Sequence, residues 1–291
     1  MLNYISSMPV DCRVAVIFGH PAALHWAGSG FGDAGLRVTD SLWKLGYYAD
    51  LIPSSEIGNK ALKIGEDGSI QYGMQRYSAV IFYHPQFERR NTADFFHTAE
   101  SGKKTAMFRI GEWTVDFEGK PFDGEAALPA SMKSGNVTSI LEEVISLLKA
   151  QGIEAYTPCS TDGNLVGFAG PMAPHLNGHV RLLDGTVIYA SGKNDVLGDP
   201  IKKKIKIDGK KVYFDAIGVA AVRFDKAGRI EAMAAGGLKT FKVDGLNITL
   251  PARADIALWK NEKGKWQGVL QGYRGQLPEI LATITNEWVR L

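Results

Sequence analysis

The sequence has only two cysteines, Cys12 and Cys159, which excludes a disulfide framework and a zinc site built from four thiolates. Charge of one sign is also scarce, because 33 Lys and Arg oppose 31 Asp and Glu, for a net charge of +2. Because the positive and negative charges nearly cancel, the protein as a whole does not attract nucleic acid or an anionic membrane, and we expect neither partner. No run reaches the roughly 20 apolar residues needed to span a bilayer, and the first residues do not resemble a secretory signal. A cytoplasmic location is therefore the default expectation.

The first half of the chain alternates strand and helix patterns, in a sequence whose length of 291 residues favours two domains. Apolar runs predict buried strands at 14–18, 50–53, 77–83 and 104–110, and helical spacing predicts helices at 33–45, 92–99 and 137–150. This order is typical of a parallel sheet with helices on both faces. A hairpin insertion is predicted at 61–75, around the Asp67-Gly68 turn.

The second half has period-two segments separated by short glycine turns such as Asp184-Gly185, Asp208-Gly209 and Asp244-Gly245. This pattern predicts an antiparallel β-sandwich with a closing helix at 278–289. The predicted strands are 179–183, 186–190, 201–207, 211–216, 219–224, 230–235, 246–250 and 255–259. The domains are thus predicted at 1–157 (α/β) and 158–291 (all-β).

Polar and aromatic side chains follow the ends of the predicted parallel strands, where open α/β sheets bind their ligands. The candidate ligand-binding residues are His20, Trp26, His84, Glu88, Arg109, Glu112 and Trp113. Glu112, His84 and His20 are the catalytic candidates, because His and Glu transfer protons near neutral pH. The alternative is structural: both histidines bond loop backbone, and Arg109 pairs with Glu112 to support a turn.

Three other patterns indicate chemistry only weakly. Gly30, Gly32 and Gly35 fit G-x-G-x-x-G and leave a nucleotide-binding oxidoreductase open, although about ten residues separate them from Gly19. The exit of the third strand reads Tyr83-His84-Pro85, so a nucleophile elbow lacks its Ser or Cys. His20, His25 and His84 with Glu88 or Glu112 have poor spacing for a metal site. We expect no metal and no other cofactor.

Six lysines surround one predicted hairpin in the second half: Lys202, Lys203, Lys204, Lys206, Lys210 and Lys211. They can attract a polyanion or, as edge-strand lysines, block aggregation. Trp259 and Trp266 can stack on sugar rings or belong to the core.

The first half resembles a known family through its strand followed by a glycine-rich loop, its YSAVIFYHPQFE segment and its strand leading to RIGEW. It is similar to the amidotransferase-like α/β domain of certain bacterial β-galactosidases, a flavodoxin-like or class I glutamine-amidotransferase-like domain of the trimerisation type. The segment from IEAMAAGGLKTF to WQGVLQG looks like the β-sandwich tail of bacterial glycoside-hydrolase-like proteins. The resemblance implies a homo-oligomer, an upstream catalytic domain as partner and a domain without the glutaminase nucleophile. No catalytic residue of that family is assigned to a position in this sequence.

The favoured interpretation is therefore a non-catalytic accessory or C-terminal region of a carbohydrate-active protein, which serves oligomerisation and binds a small ligand or sugar. The alternative is a self-standing glycoside hydrolase that uses the strand-end pocket. Such an enzyme normally needs two carboxyl groups, and locally these would be Glu112 with Glu88 or Asp116.

Overall fold

The computed structural model describes residues 1–19, 21, 32–153, 155, 175–193, 196–207 and 209–291. They belong to two compact units. The α/β unit is Asp11–Ala155, and the β unit combines Met1–Val10 with Tyr156–Leu291. The first ten residues thus join the second unit, whereas the sequence analysis assigned them to the first.

The α/β unit contains a five-stranded sheet with the strands β1 Val14–Phe18, β2 Ala49–Pro53, β6 Ala79–Tyr83, β7 Ala106–Ile110 and β8 Lys133–Gly135. Every neighbouring pair is parallel, and the strand order is β2-β1-β6-β7-β8. The prediction of a parallel sheet is therefore confirmed. Sequence analysis missed β8, because its Lys-Ser-Gly sequence has no apolar residue to mark a strand.

The helices of this unit are Leu36–Lys44, Ser55–Gly58, Thr92–Gly102, Gly124–Ala127 and Val137–Ala150. The last of these has the predicted bounds. The Asn136 side chain accepts a hydrogen bond from the Ser139 N–H at its start, which satisfies a donor that the helix leaves free. Its apolar stripe packs in the same core as the sheet residues Val16 and Ile81.

The hairpin insertion forms a separate three-stranded sheet: β3 Leu62–Ile64, β4 Ile70–Tyr72 and β5 Gln75–Arg76. The Thr105 hydroxyl fixes this sheet beside the parallel one. It accepts the Ile70 N–H at 2.9 Å and donates to the Tyr77 carbonyl at 2.8 Å.

The β unit folds around one sheet, in which ten strands are described. The strands are β9 His175–Arg181, β10 Val187–Lys193, β11 Val196–Leu197, β12 Pro200–Ile207, β13 Lys210–Ile217, β14 Val219–Phe224, β15 Ile230–Val243, β16 Leu246–Lys260, β17 Trp266–Gln271 and β18 Trp288–Arg290. All described pairs are antiparallel except β17 with β18, so the antiparallel part of the predicted β-sandwich is confirmed, while its division into two sheets stays a prediction.

The long hairpin β15–β16 organises this sheet. The first half of β15 pairs with β14 and its last residues pair with β13, with an irregularity between Ala235 and Leu238. Two glycines occupy the irregularity, and Gly237 has φ 48°, a backbone conformation that glycine adopts without a steric penalty. One face of the hairpin buries Met233, Phe241 and Ile248 in the main core.

The predicted closing helix is wrong beyond Ile284. The helix covers only Glu279–Ile284, Thr285 is extended, and the chain then adds β18 to the sheet, parallel to β17. The Trp288 indole explains the change: its Nε1 donates to the Leu281 carbonyl at 3.0 Å. The ring also packs where a side chain at position 268 would stand, a space left open by Gly268.

The N-terminal segment belongs to the β unit because it covers small residues on the second face of the sheet. Ile5 of the helix Leu2–Ile5 is buried in a cluster with Ala221, Ala232, Ala234 and Ala257. Arg223 fixes the segment by donating to the Ile5 carbonyl while it pairs with Asp184. Burial of Ile5 is thus coupled to a half-buried ion pair.

Candidate functional site

A cavity of about 630 Å³ opens at the carboxyl end of the parallel sheet. Ser54, which directly follows β2, and Glu88, in the loop after β6, contribute to its wall. Its polar lining includes Ser54, Ser55, Asn59, Lys60, Glu88 and Asn91, and the ring of Phe117 adds an apolar surface. This is the edge at which open α/β sheets bind ligands.

Glu88 is the central group of this cavity. It is only 2% exposed, and the Thr92 hydroxyl lies 3.5 Å from its Oε2. Burial raises the pKa of the Glu88 carboxyl to about 7, against the hydrogen bonds from Ser54 and Thr92 and the charge of Arg89, which lower it. Near neutral pH this carboxyl can therefore either donate or accept a hydrogen bond.

The loop that carries Glu88 is held in an uncommon conformation. His84 and Phe87 have φ values of 45° and 59°, in the left-handed region that side chains rarely adopt. Contacts with the segment after β7 compensate: the Phe87 N–H donates to the Val115 carbonyl at 2.9 Å, and the Gln86 side chain accepts the Val115 N–H at 3.1 Å. Strained residues of this kind concentrate at functional sites.

His84 lies in a tight pocket of its own. The Tyr83 ring packs edge-on against the imidazole, with 4.4 Å between the ring centroids. Gly111 has no side chain and therefore leaves room for the imidazole. Burial lowers the pKa of His84 while the charge of Asp33 acts in the opposite direction, so the ring is neutral at pH 7. His84 is not one of the described residues that line the Glu88 cavity.

Arg109 and Glu112 are not paired with each other. The guanidinium of Arg109 is 7% exposed and binds Glu125, whose side chain is 73% exposed. Glu112 is exposed and does not line the Glu88 cavity. The partner of the buried guanidinium is thus not Glu112 but Glu125, on the helix Gly124–Ala127, the next element along the chain.

Trp113 is a core residue. Its side chain is 1% exposed and packs against Phe82 and Phe122, with ring centroids 5.9 and 4.6 Å away. Its Nε1 is buried and has no hydrogen-bond partner within the described part of the chain. Such a ring cannot stack on a ligand without leaving the core.

Several candidates lie outside the described residues: His20, His25, Trp26 and Cys159, with Gly30 of the glycine motif. Cys12 is described and is buried two residues before β1. Burial and the neighbouring Asp50 raise the pKa of its thiol, which stays protonated. Because β1 and β6 are parallel, Cys12 and His84 lie at opposite ends of strands about 16 Å long, too far apart for a nucleophile–base pair.

Asp116 lies next to Glu88 but is fully engaged. Arg90 binds its carboxylate at 2.6 Å, and the N–H groups of Glu118 and Lys120 donate to the same carboxylate at 3.1 and 2.8 Å. With these bonds made and 1% of the residue exposed, Asp116 organises the loop and is not free to act on a ligand.

A second cavity, of about 670 Å³, lies at the opposite edge of the sheet, beside the start of β7. Met107, Phe108 and Leu147 line it, with Lys103 and Lys104 also in its wall. Its buried polar residue, Thr105, already uses its hydroxyl to bond the Ile70 N–H and the Tyr77 carbonyl, and the amino ends of parallel strands are not where such sheets bind ligands. The Glu88 cavity is the better candidate site.

Within the described part of the chain, no three His, Cys, Asp or Glu side chains are placed to hold a metal ion. None of the described helices is long and apolar enough to cross a membrane. No protein-family model matches the sequence, and the comparisons with curated proteins and with solved structures gave no significant match.

Proposed function

We propose that the α/β unit is a binding module for a small hydroxylated ligand, such as a sugar, in an accessory region of a carbohydrate-active protein. The observation that carries this proposal is the strand-end cavity built around the buried Glu88 carboxyl. The assembly role and the upstream catalytic domain implied by the family resemblance belong to the same proposal.

The chemistry of the lining supports a hydroxylated ligand. Each sugar hydroxyl both donates and accepts a hydrogen bond, and the wall offers a carboxyl, serine hydroxyls and the amides of Asn59 and Asn91 for such bonds. Phe117 is 41% exposed and adds apolar surface to the wall, although the Arg89 guanidinium lies over its ring, 5.0 Å from the centroid. The volume of about 630 Å³ lies within the range of about 300–1,000 Å³ typical of small-molecule sites.

Strand order supports the flavodoxin-like class. Numbered along the chain, the five parallel strands follow the order 2-1-3-4-5, as in flavodoxin-like sheets, which bind ligands at their carboxyl edge. The exit of β6 reads Tyr83-His84-Pro85, where a glutaminase of this class would need a nucleophile. The absence of a Ser or Cys at this exit favours a binding role over amide hydrolysis.

The alternative function is glycoside hydrolysis, and the raised pKa of Glu88 is the observation that favours it. A carboxyl with a pKa of about 7 is still partly protonated near neutral pH and can serve as a general acid. The pair of carboxyls typical of these enzymes is the missing element, because Glu88 is the only carboxyl among the described residues of the cavity wall. Accessory binding is therefore the better-supported function.

The test is a calorimetric titration of the full chain with a panel of neutral and acidic mono- and disaccharides. We expect at least one sugar to bind, and we expect Glu88→Gln to weaken its binding about tenfold, as for loss of a charged hydrogen-bond partner. Glu118→Gln is the matched control, because that carboxyl is exposed and outside the cavity, and it should bind as the parent does.

Failure of every sugar to bind, or equal loss in the control, contradicts the proposal. Turnover of an aryl glycoside that disappears in Glu88→Gln would instead establish the enzymatic alternative. The assembly role is tested separately by the mass of the full chain in solution, where we expect an oligomer and where a monomer would remove that part of the proposal.

A further inference from the structure

One face of the β unit concentrates positive charge, although the whole chain is nearly neutral. Side chains alternate across a strand, and on β12 the alternate residues Lys202, Lys204 and Lys206 are exposed while Ile201 and Ile207 are buried. Lys211 on β13 and Lys242 on β15 are also exposed. We call these five lysines with Tyr213 the lysine face.

Strand register shows that this face is continuous across four strands. Lys204 pairs with Tyr213, Tyr213 pairs with Lys242, and Lys242 pairs with Asn247 of β16. Directly paired residues project from the same side of a sheet, about 4.8 Å apart from strand to strand. The half-buried Tyr213 ring therefore lies between two lysines in one row of side chains.

Carboxylates do not neutralise this charge. Asp215 is the acidic residue in the neighbouring row, and it already binds Arg253 at 2.6 Å, with Lys202 at 3.8 Å. Lys204, Lys206, Lys211 and Lys242 make no ion pair within the described residues. Lys206 moreover pairs directly with Lys211, an arrangement of like charges that destabilises a sheet.

Protection against edge-to-edge aggregation explains only part of the pattern. The only described strand that pairs with β12 is β13, so β12 is an edge strand, where lysines have this role. Lys242 is different, because it lies on β15 between Tyr213 of β13 and Asn247 of β16. An uncompensated lysine in the interior of a sheet weakens the fold without protecting an edge, which indicates a ligand that supplies the missing negative charge.

We propose that the lysine face binds a linear acidic polysaccharide, one that carries carboxylate or sulfate groups. The lysines would contact its anionic groups, the Tyr213 ring would pack against a sugar ring, and Thr240, Asn247 and Thr249 would bond hydroxyls from the same rows. Nucleic acid fits less well, because single strands bind along successive aromatic side chains in a groove, whereas this face has one half-buried ring.

The test compares binding of the full chain to polygalacturonate, heparin and single-stranded poly(U), by fluorescence anisotropy over a range of salt concentrations. We expect both polysaccharides to bind more tightly than poly(U), with affinity falling as salt rises. The triple variant Lys204→Gln, Lys206→Gln, Lys242→Gln should lose about tenfold or more in affinity at low salt and show a shallower salt dependence. Tyr213→Leu should weaken binding several-fold while leaving the salt dependence unchanged.

The matched control carries the same change of charge on exposed lysines of other turns: Lys226→Gln, Lys263→Gln and Lys265→Gln. It should bind within about twofold of the parent, whereas a non-specific charge effect would weaken it as much as the first triple variant. Stronger binding of poly(U), equal losses in both triple variants, or no polysaccharide binding would each overturn the proposal. Because this face lies in the β unit, these outcomes leave the Glu88 cavity untouched.

Discussion

Glu88 and Asp116 are joined by an isolated parallel backbone bridge, yet the pKa values of their carboxyls move in opposite directions. Both side chains are almost fully buried. The Arg90 guanidinium contacts the Asp116 carboxylate directly, whereas Glu88 accepts hydrogen bonds from neutral donors (the Ser54 and Thr92 hydroxyls and the Arg89 N–H) and faces a cavity. Burial alone therefore does not set the charge of these neighbours; the charged donor in contact with Asp116 makes the difference.

Glu88→Gln should stabilise the protein at alkaline pH. The folded pKa of about 7 exceeds the ordinary 4.5, so the native state binds more protons between these values and stability falls as pH rises through 7. The glutamine removes this penalty, which is on the order of 3 kcal/mol above pH 7. Urea denaturation at pH 8 should show a higher midpoint for the variant, with β6 amide exchange reporting on the α/β unit. Parent and variant should converge near pH 5, and a gain that is independent of pH would contradict the pKa shift.

Asp116→Asn should have the opposite effect. Burial acts to raise the pKa of Asp116, but the Lys120 N–H and Arg90 outweigh it and hold the pKa below 3.8. The stabilisation from this carboxylate is present at neutral pH and is lost as the pH falls through its folded pKa. The variant should therefore unfold at lower urea concentration at pH 7, where Glu88→Gln is as stable as the parent or more so. Equal midpoints for Asp116→Asn and the parent would show that the Arg90 contact is not formed in solution.

Glu125→Gln should destabilise the α/β unit, because it leaves the buried Arg109 guanidinium without its carboxylate. Removing one partner of a fully buried pair costs about 3–5 kcal/mol; exposure of Glu125 to solvent reduces this to about 1–2 kcal/mol. Glu118→Gln is the control, since that carboxyl is exposed and should change stability by less than about 0.5 kcal/mol. Denaturation midpoints in low salt measure the difference, and identical values for both variants would mean that solvent replaces Glu125.

Hydrophobic pattern alone was enough to predict most of the α/β unit. The runs at β1 and β6 and the stripe of Val137–Ala150 are signals that burial imposes on the sequence. The strand β8 gives no such signal, because backbone pairing with Phe108–Ile110 fixes it and its own side chains are exposed or half-buried.

The end of the β unit was harder to predict for a related reason. Residues 278–289 have a helical pattern throughout, but the contact between Trp288 and Leu281 is formed in three dimensions and ends the helix early. The position of Ile5 on the alanine cluster is likewise a long-range contact, invisible to local periodicity.

The candidate site was predicted in part. The rule that ligands bind beyond the carboxyl ends of parallel strands identified Glu88, since topology fixes where strands end. Asn59, Lys60 and Phe117 were missed because loop conformation, not periodicity, brings them to the cavity. Trp113 follows a strand end as expected, but its size and apolar surface favour the core.

Gly111→Ala should disturb the His84 pocket at the carboxyl edge of the sheet. Gly111 has φ 85°, and a Cβ there would lie 2.9 Å from the His84 Cε1 and closer still to Nδ1, so both the backbone and the imidazole must shift. Gly119→Ala is the matched control: its φ is 77°, but a Cβ there meets nothing within 4 Å. Backbone strain alone should cost the control about 1–2 kcal/mol, whereas Gly111→Ala should cost roughly 1–3 kcal/mol more from the added overlap. The His84 imidazole signals in an NMR titration should shift only in Gly111→Ala; equal stability losses and unchanged His84 signals in both variants would show that this ring is not packed against Gly111.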